Sequence, residues 1–320
     1  MNRACGLMSV CVLAASLGHT AGAAERLRYK MSAEERAYYR VVTSVKLTQV
    51  SAGSESNSRI MTSEVTESSL VTHNRGVFKI QSAVKHLQVE LEDGTLGKYN
   101  YDSDASANDK DTVLGQALTP LYEGMTTLLL MKSFNDRGTV ISIKGYEGLV
   151  IGALKNNPIT AQFAVGANEQ SAKVSFSEQY IEFPEKDVTP GDTWEVPFEM
   201  TFGGFGTVTG KRLYKYVGNT SLDVKKGGTV SKRRLVKISV VTDFKFDVEV
   251  NKNGLMVSGV VAVKDSSGEA LFDPVLGRVH SRNQTLSLEG DLKVTANNET
   301  RSIKQTQVQQ VTVDLLSEFP

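Results

Sequence analysis

Cysteine is nearly absent from this chain. The only two, Cys5 and Cys11, fall in the first 23 residues. That stretch carries Arg3, then an apolar run from Leu7 to Leu17, then small residues at Ala21 and Ala23. The order is expected for an export signal cut between Ala23 and Ala24, or just after Ala24, and the run is too short to span a bilayer. Cys11 follows Val10 inside the apolar run, so no lipid-anchor site is expected there. With residues 1–23 removed no thiol remains, which excludes disulfide staples, a thiol nucleophile and cysteine-bound metal, although an exported destination would permit disulfides.

Histidine is scarce as well. Beyond His19 in the leading segment there are only His73, His86 and His280. None has the spacing of a helical metal pair, and each sits in or beside a strand-like run, so half-exposed strand positions are expected rather than ligands or general bases. No nucleophile elbow of the G-x-S-x-G type is present, and no serine has an activating neighbour in sequence. The glycines at 203, 204 and 206 lack the lysine and the helix of a phosphate loop, and no cofactor is expected. Charge of one sign is missing too: with Arg3 gone, 35 basic residues face 36 acidic ones. That balance gives no footprint for nucleic acid or an anionic membrane surface. After the leading segment no apolar run has the length of a membrane-spanning helix.

What the chain has is alternation. Trp194, Val196, Phe198, Met200 and Phe202 share one face of a strand, with Glu195, Pro197, Glu199 and Thr201 on the other. Pro197 cannot donate to a ladder, so this strand is expected at a sheet edge or at a bulge. A longer run follows, with Val236, Ile238, Val240, Thr242, Phe244, Phe246, Val248 and Val250 against a polar face broken only by Val241. At about 3.4 Å per residue it would span roughly 50 Å, so it is expected to bend with a curled sheet. "NKNG" (251–254) and "DSSG" (265–268) are expected turns. Leu286, Leu288, Leu292 and Val294, then "ANNE", then Val311, Val313 and Leu315 continue the pattern. In the first half Tyr39, Val41, Val45 and Leu47 alternate, and strand-like runs occupy 59–72 and 77–91.

The period changes in the middle. Tyr146, Leu149, Val150, Ala153 and Leu154 form a helical stripe, ended by "NNP" at 156–158, and Ile159, Phe163 and Ala167 suggest a second helix. Leu114, Leu118, Leu121, Tyr122 and Met125 keep helical spacing across Pro120. A short helix with Thr119 as N-cap and Pro120 at its first position is the expectation. "TTLLLMKSF" is expected to be a buried strand. The division is then a signal at 1–23, a β-rich half at 24–145, a helical connection at 146–182 and a second β-rich half at 183–320.

The phrase "SFNDRGTVISIKG" (133–145) returns as "LFDPVLGRVHSRN" (271–283). Phe134, Asn135, Gly138 and Val140 align with Phe272, Asp273, Gly277 and Val279. Glycine supplies the positive φ of a tight turn and Asn or Asp caps its approach, so each copy is expected to be a hairpin. The expected fold is α+β: a mostly antiparallel, curled, half-barrel-like sheet in two related halves, with a few helices from the chain centre packed on it. "FPEKDVTPGDTW" (183–194) and "FDPVLGR" (272–278) resemble an uncharacterised family of secreted bacterial proteins, a domain of unknown function, over residues 26–316. That resemblance implies no activity, ligand or catalytic residue. The architecture is similar to the half-barrels of periplasmic lipoprotein carriers and lipid-binding lipoproteins, an analogy of fold alone.

Four places could carry function. Asp102, Asp104 and Ser106 copy the first ligands of a calcium loop, but Ala107 replaces its glycine and Val113 its bidentate glutamate, so a solvated acidic loop is expected and no metal. Glu90, Glu92 and Asp93 read as solvated charge before a hairpin. The basic run 225–237 reads as a charged hairpin tip. The stripe Trp194, Val196, Phe198, Met200 and Phe202 is either a core face or, if the sheet leaves a gap under the helices, the wall of an apolar pocket. The expected role is that of a secreted or periplasmic, non-enzymatic protein binding an apolar small molecule, a lipid or an envelope protein. An envelope scaffold is the alternative, and a hydrolase with a site invisible in sequence is third.

Overall fold

A computed structural model describes residues 24–33, 35–105, 108–147, 169–202, 206–226, 229–252, 255–296 and 299–319. They form one antiparallel, open, curled sheet of 12 strands with two helices, and helix makes up 9% of the described residues. The first six strands are β1 (Arg36–Ser51), β2 (Ser54–Asn74), β3 (Val77–Asp93), β4 (Gly97–Asp102), β5 (Leu129–Asn135) and β6 (Val140–Lys144). The second six are β7 (Thr193–Phe202), β8 (Gly206–Lys226), β9 (Thr229–Lys252), β10 (Leu255–Asp273), β11 (Arg278–Ala296) and β12 (Glu299–Leu316). Helix α1 spans Val113–Thr127 and α2 spans Glu169–Ser177.

The first and last strands meet in the middle of the sheet. The order is β6-β5-β3-β2-β1-β12-β11-β10-β9-β8-β7, with β4 paired to β3 off that path. Each half is a meander, and the β1–β12 ladder from Tyr38↔Leu316 to Ser51↔Ile303 joins them into one sheet. The two edges are therefore β6 and β7. Pro197 lies in edge strand β7, whose one partner is β8, as a residue without an N–H requires.

Alternation puts most of the core on one face. On β9, Val236, Ile238 and Val240 are fully buried while Val241 on the opposite face is exposed. At about 3.3 Å per residue the 24 residues of β9 span roughly 80 Å, so twist accumulates and the sheet curls. "DSSG" is not a turn: it lies inside β10, where the register with β9 slips between Ala262 and Gly268. Five residues of β10 then oppose four of β9, and Ser266 Oγ accepts the Thr242 amide at 2.9 Å. The small polar residues that signal a turn serve a bulge here.

Helix α1 also differs from expectation. Its N-cap is Thr112, whose Oγ1 accepts from the Gly115 amide, and Pro120 lies inside the helix. The interior proline forfeits one backbone bond. Burial of Leu114, Ala117, Leu118 and Tyr122 against Leu87, Val89, Tyr99 and Tyr101 outweighs that loss. The helices expected over 146–154 and 159–167 fall almost wholly outside the described residues. "TTLLLMKSF" contains β5, as expected, although Leu129 at its start is exposed.

One end of the curl is closed by chain that belongs to no strand. Tyr29 is buried there, edge-on to Phe134 at 5.8 Å and to Phe272 at 5.5 Å, and its hydroxyl accepts the Ile181 amide at 2.8 Å. Those two phenylalanines open the repeated phrases, and both phrases are hairpins. Asn135 Oδ1 accepts the amides of Arg137 and Thr139, and Asp273 Oδ1 accepts those of Val275 and Leu276. The two turns grip the same segment: Tyr29 N donates to Asp136 O at 2.7 Å and Lys30 N to Gly277 O at 2.9 Å. At Gly277, φ is +62° and a Cβ would lie 2.4 Å from Lys30 N, so only glycine fits. Residues 181–185 tie the β5–β6 turn to β7, through Phe183 N to Arg137 O at 2.8 Å and Trp194 Nε1 to Glu182 O at 2.7 Å.

Tyr29→Phe removes the acceptor of a buried amide and is expected to cost about 1–3 kcal/mol. Tyr29→Ala also opens a cavity among four aromatic rings and is expected to cost about 3–5 kcal/mol. Urea denaturation of the two variants checks the order and the size.

Candidate functional site

Beyond the closed end the described residues leave open volume over the β7–β12 side of the sheet. Helix α2 packs against both edge strands, β6 and β7. Between it and β7–β12 lies a cavity of about 340 Å³, at the small end of the roughly 300–1,000 Å³ of ligand pockets. Successive inward positions build its wall. Phe198 and Met200 come from β7, Val208 from β8, Phe244 and Phe246 from β9, Val261 from β10, and Leu286 and Leu288 from β11. Gly210 stands at an inward position where a Cβ would lie 2.6 Å from both Phe198 and Phe244. Its missing side chain lets those rings meet edge to face at 6.2 Å. Strand β12 supplies a different surface: Gln305, Gln307 and Gln309 line the cavity, and among the described residues their side chains have no hydrogen-bond partner.

Where the cavity meets the closed end the wall turns polar. Arg282 is buried, and burial pulls its guanidinium below the ordinary value. It donates to the carbonyls of Glu178 and Tyr180 and to Gln284 Oε1, and Gln284 passes a bond to Thr242 Oγ1 at 2.7 Å. Arg212 is also buried, at 4% exposure, but it is much less engaged. Nη1 donates to Ser177 Oγ at 2.9 Å, Nη2 lies 3.8 Å from Glu178 Oε1, and the guanidinium rests 5.0 Å from the Phe198 ring centroid. An arginine has five N–H donors, so most of these have no acceptor among the described residues, and the side chain lines the cavity.

The stripe anticipated on β7 divides between these regions. Trp194 stacks on Tyr214 at 5.5 Å and, with Val196 against it, belongs to the closed-end core. Phe198 and Met200 line the cavity. Phe202 is the last residue of β7, and its side chain lies outside the described residues, as do Ala23 and the GGF of residues 203–205. Ala24 is exposed. Glu92 pairs with Lys98 at 3.0 Å and Asp93 caps its turn, so these carboxylates are hairpin charge. In the acidic loop, Asp102 and Asp104 approach His86, with Nε2 to Asp102 Oδ1 at 3.2 Å. Gln88 and the Asp104 amide already occupy Asp102 and, foremost among causes, hold its carboxyl below the usual range.

Sequence reading missed the inward-facing polar residues, Arg212 and the glutamines of the wall and Lys132 outside it, although the signal was present. In "VTGKRLYKY" Arg212 shares parity with Tyr214 and Tyr216. In "LLLMKSF" Lys132 shares parity with Phe134. In "KQTQVQQVTV" the three glutamines share parity with Val311 and Val313. A polar residue at the inward parity of an apolar strand is the signature.

Residues 75–264 match the model described as Family of unknown function (DUF6263). The match takes in "FPEKDVTPGDTW" and stops short of "FDPVLGR". No curated protein matches. Among solved structures, lipovitellin, from work on its lipid–protein interactions, is 9% identical at a TM-score of 0.38, over 88% of this chain and 25% of that chain. An outer membrane channel from Pseudomonas putida F1 is 7% identical at 0.23, over 90% and 97% of the two chains. The translocator domain of the autotransporter NalP from Neisseria meningitidis is 7% identical at 0.21, over 88% and 90%. This chain thus spans about a quarter of the lipovitellin chain, and scores this low carry no argument about ligand or membrane. No described helix is long and apolar enough to cross a membrane.

A second buried charge lies on the other side of α2. Lys132 of β5 is 3% exposed, has no hydrogen-bond partner among the described residues, and sits 4.2 Å from the Phe176 ring centroid. Burial pulls its ammonium down to about 8, while the Glu64 carboxylate pulls the other way. Burial in turn raises the Glu64 carboxyl, against the pull of Lys132. Below about pH 8 both folded and unfolded chains hold the lysine proton and the burial cost is present in full. Between about 8 and the ordinary 10.5 the unfolded chain binds more protons, so this group makes stability rise with pH. Wild type is expected to gain about 2–3 kcal/mol relative to Lys132→Met across that window, measured by urea denaturation at each end.

Proposed function

The chain belongs to the family of unknown function DUF6263, and from that premise we propose that it is an exported, non-enzymatic protein that holds an apolar small molecule or lipid in the cavity between α2 and β7–β12. The observation that carries this reading is the wall. Phe198, Met200, Phe244, Phe246 and Leu288 stand around about 340 Å³ of open volume, and all of these but Met200 also pack in a cluster with Val208, Val248 and Val261. Side chains around such a volume forgo dispersion contacts that a ligand restores. Export is supported by the order of Arg3, the apolar run and Ala21 and Ala23 in the leading segment. Holding a ligand needs no chemical step, and the ionisable residues lining the cavity are a cation, Arg212, and a carboxylate, Glu178.

The two halves are, in the same reading, a duplication. Three correspondences support it: Phe134 with Phe272 around Tyr29, Asn135 with Asp273 as turn acceptors, and hairpins joining the fourth and fifth strands of each meander along the main path.

Protein prepared from its native envelope is expected to carry a bound apolar mass in native mass spectrometry and, once stripped, to bind the neutral fluorophore N-phenyl-1-naphthylamine. Leu288→Trp fills the cavity and is expected to abolish both while circular dichroism stays unchanged. Empty wild type that also ignores the fluorophore contradicts the reading.

A further inference from the structure

Resting on the cavity reading, the geometry points to a narrower ligand class: we propose that the cavity takes a single-chain amphiphile whose anionic head, a carboxylate, is bound by Arg212. Three observations converge. On the β7–β11 wall the cavity is graded, because Arg212, Thr242 and Gln284 lie at the closed end and Phe198, Phe244 and Leu288 lie farther along, while β12 adds the neutral amides of Gln305, Gln307 and Gln309 beside Leu288 and Leu286. A volume of about 340 Å³ accommodates one slender chain rather than a bulky polycycle with several substituents.

Arg212 is the decisive group. A guanidinium taken out of water needs its donors answered, and here one N–H reaches Ser177 Oγ at 2.9 Å. The Glu178 carboxylate stands off at 3.8 Å, beyond hydrogen-bond length, with nearly half of its side chain in solvent. The neighbouring Arg282 already makes three bonds, to two carbonyls and to Gln284, and is not among the residues that line the cavity, so it anchors the fold and leaves the ligand to Arg212. Phe198, with its ring centroid 5.0 Å from the guanidinium carbon, packs beside the group without consuming an N–H, which leaves donors for a two-oxygen acceptor. Glu178 is the competitor: its charge screens Arg212, so an incoming carboxylate succeeds by making the short bonds that Glu178 does not make.

The test is displacement of N-phenyl-1-naphthylamine by dodecanoate and by methyl dodecanoate, near neutral pH and below micelle formation, from four stripped proteins. Wild type is expected to prefer the acid over the ester by about tenfold or more. Arg212→Gln is expected to lose that preference with ester binding unchanged, Arg212→Lys to keep part of it, and Glu178→Gln to enlarge it. Equal displacement by acid and ester from wild type overturns the inference and leaves the apolar-cavity reading standing. A preference that survives in folded Arg212→Gln also overturns it. Should Arg212→Gln fail to fold, the wild-type comparison and Glu178→Gln still decide, because a purely structural Arg212 predicts no acid preference and no effect of Glu178. Failure of the fluorophore to bind wild type at all overturns the cavity reading itself.

Discussion

The ring of Tyr29 stands between Phe134 and Phe272, the residues that open the two repeated hairpins, and its hydroxyl holds the Ile181 amide. An open sheet has two edges and no reason of its own to bring them together. Here the N-terminal segment runs across one end of the curl, bonded to the β5–β6 turn on one side and the β10–β11 turn on the other. Glu25 extends the strap to Tyr216 of β8 and Arg234 of β9. Burial raises the Glu25 carboxyl, but the bonds from Arg234 and Tyr216 outweigh it and leave it low. With residues 181–185 stitched to the same turn and to Trp194, the edges are held at a fixed separation and α2 bridges them.

The interior follows from that closure. Aromatic residues cluster at the strapped end around a gap of only about 40 Å³, a belt with Arg282, Gln284, Thr242 and Arg212 comes next, and the larger cavity lies beyond. The belt lies between the aromatic cluster of the strapped end and the larger open volume. Arg282 and Arg212 differ within this one layer: the first makes three hydrogen bonds inside the protein, the second makes one and lines the open volume.

Much of this was legible from residue order. Period-2 alternation identified the strands, Pro197 marked an edge, and the glycine with Asn or Asp in each repeated phrase marked a hairpin. What failed did so for physical reasons. "DSSG" carries turn residues, yet a bulge uses the same small, polar side chains and keeps the strand going. Pro120 reads as a helix start, but the apolar stripe around it buries enough surface to carry the helix through the missing bond. The β7 stripe was read as one face with one fate. It is one face, but the strand crosses from the packed end to the cavity, so Trp194 and Phe198 differ in role by position along the axis, which alternation does not encode. Resemblance had the same blind spot: "FPEKDVTPGDTW" and "FDPVLGR" build the strap and its turns, and the cavity is lined by residues outside both phrases.

The dependence of the curl on its strap is tested most directly by hydrogen exchange, comparing wild type with Tyr29→Ala. The account predicts that protection falls together in β6, β7, α2 and the β10–β11 turn, while the central β1–β12 ladder keeps its protection. Loss confined to residues 24–31, with both edges as protected as before, would contradict it.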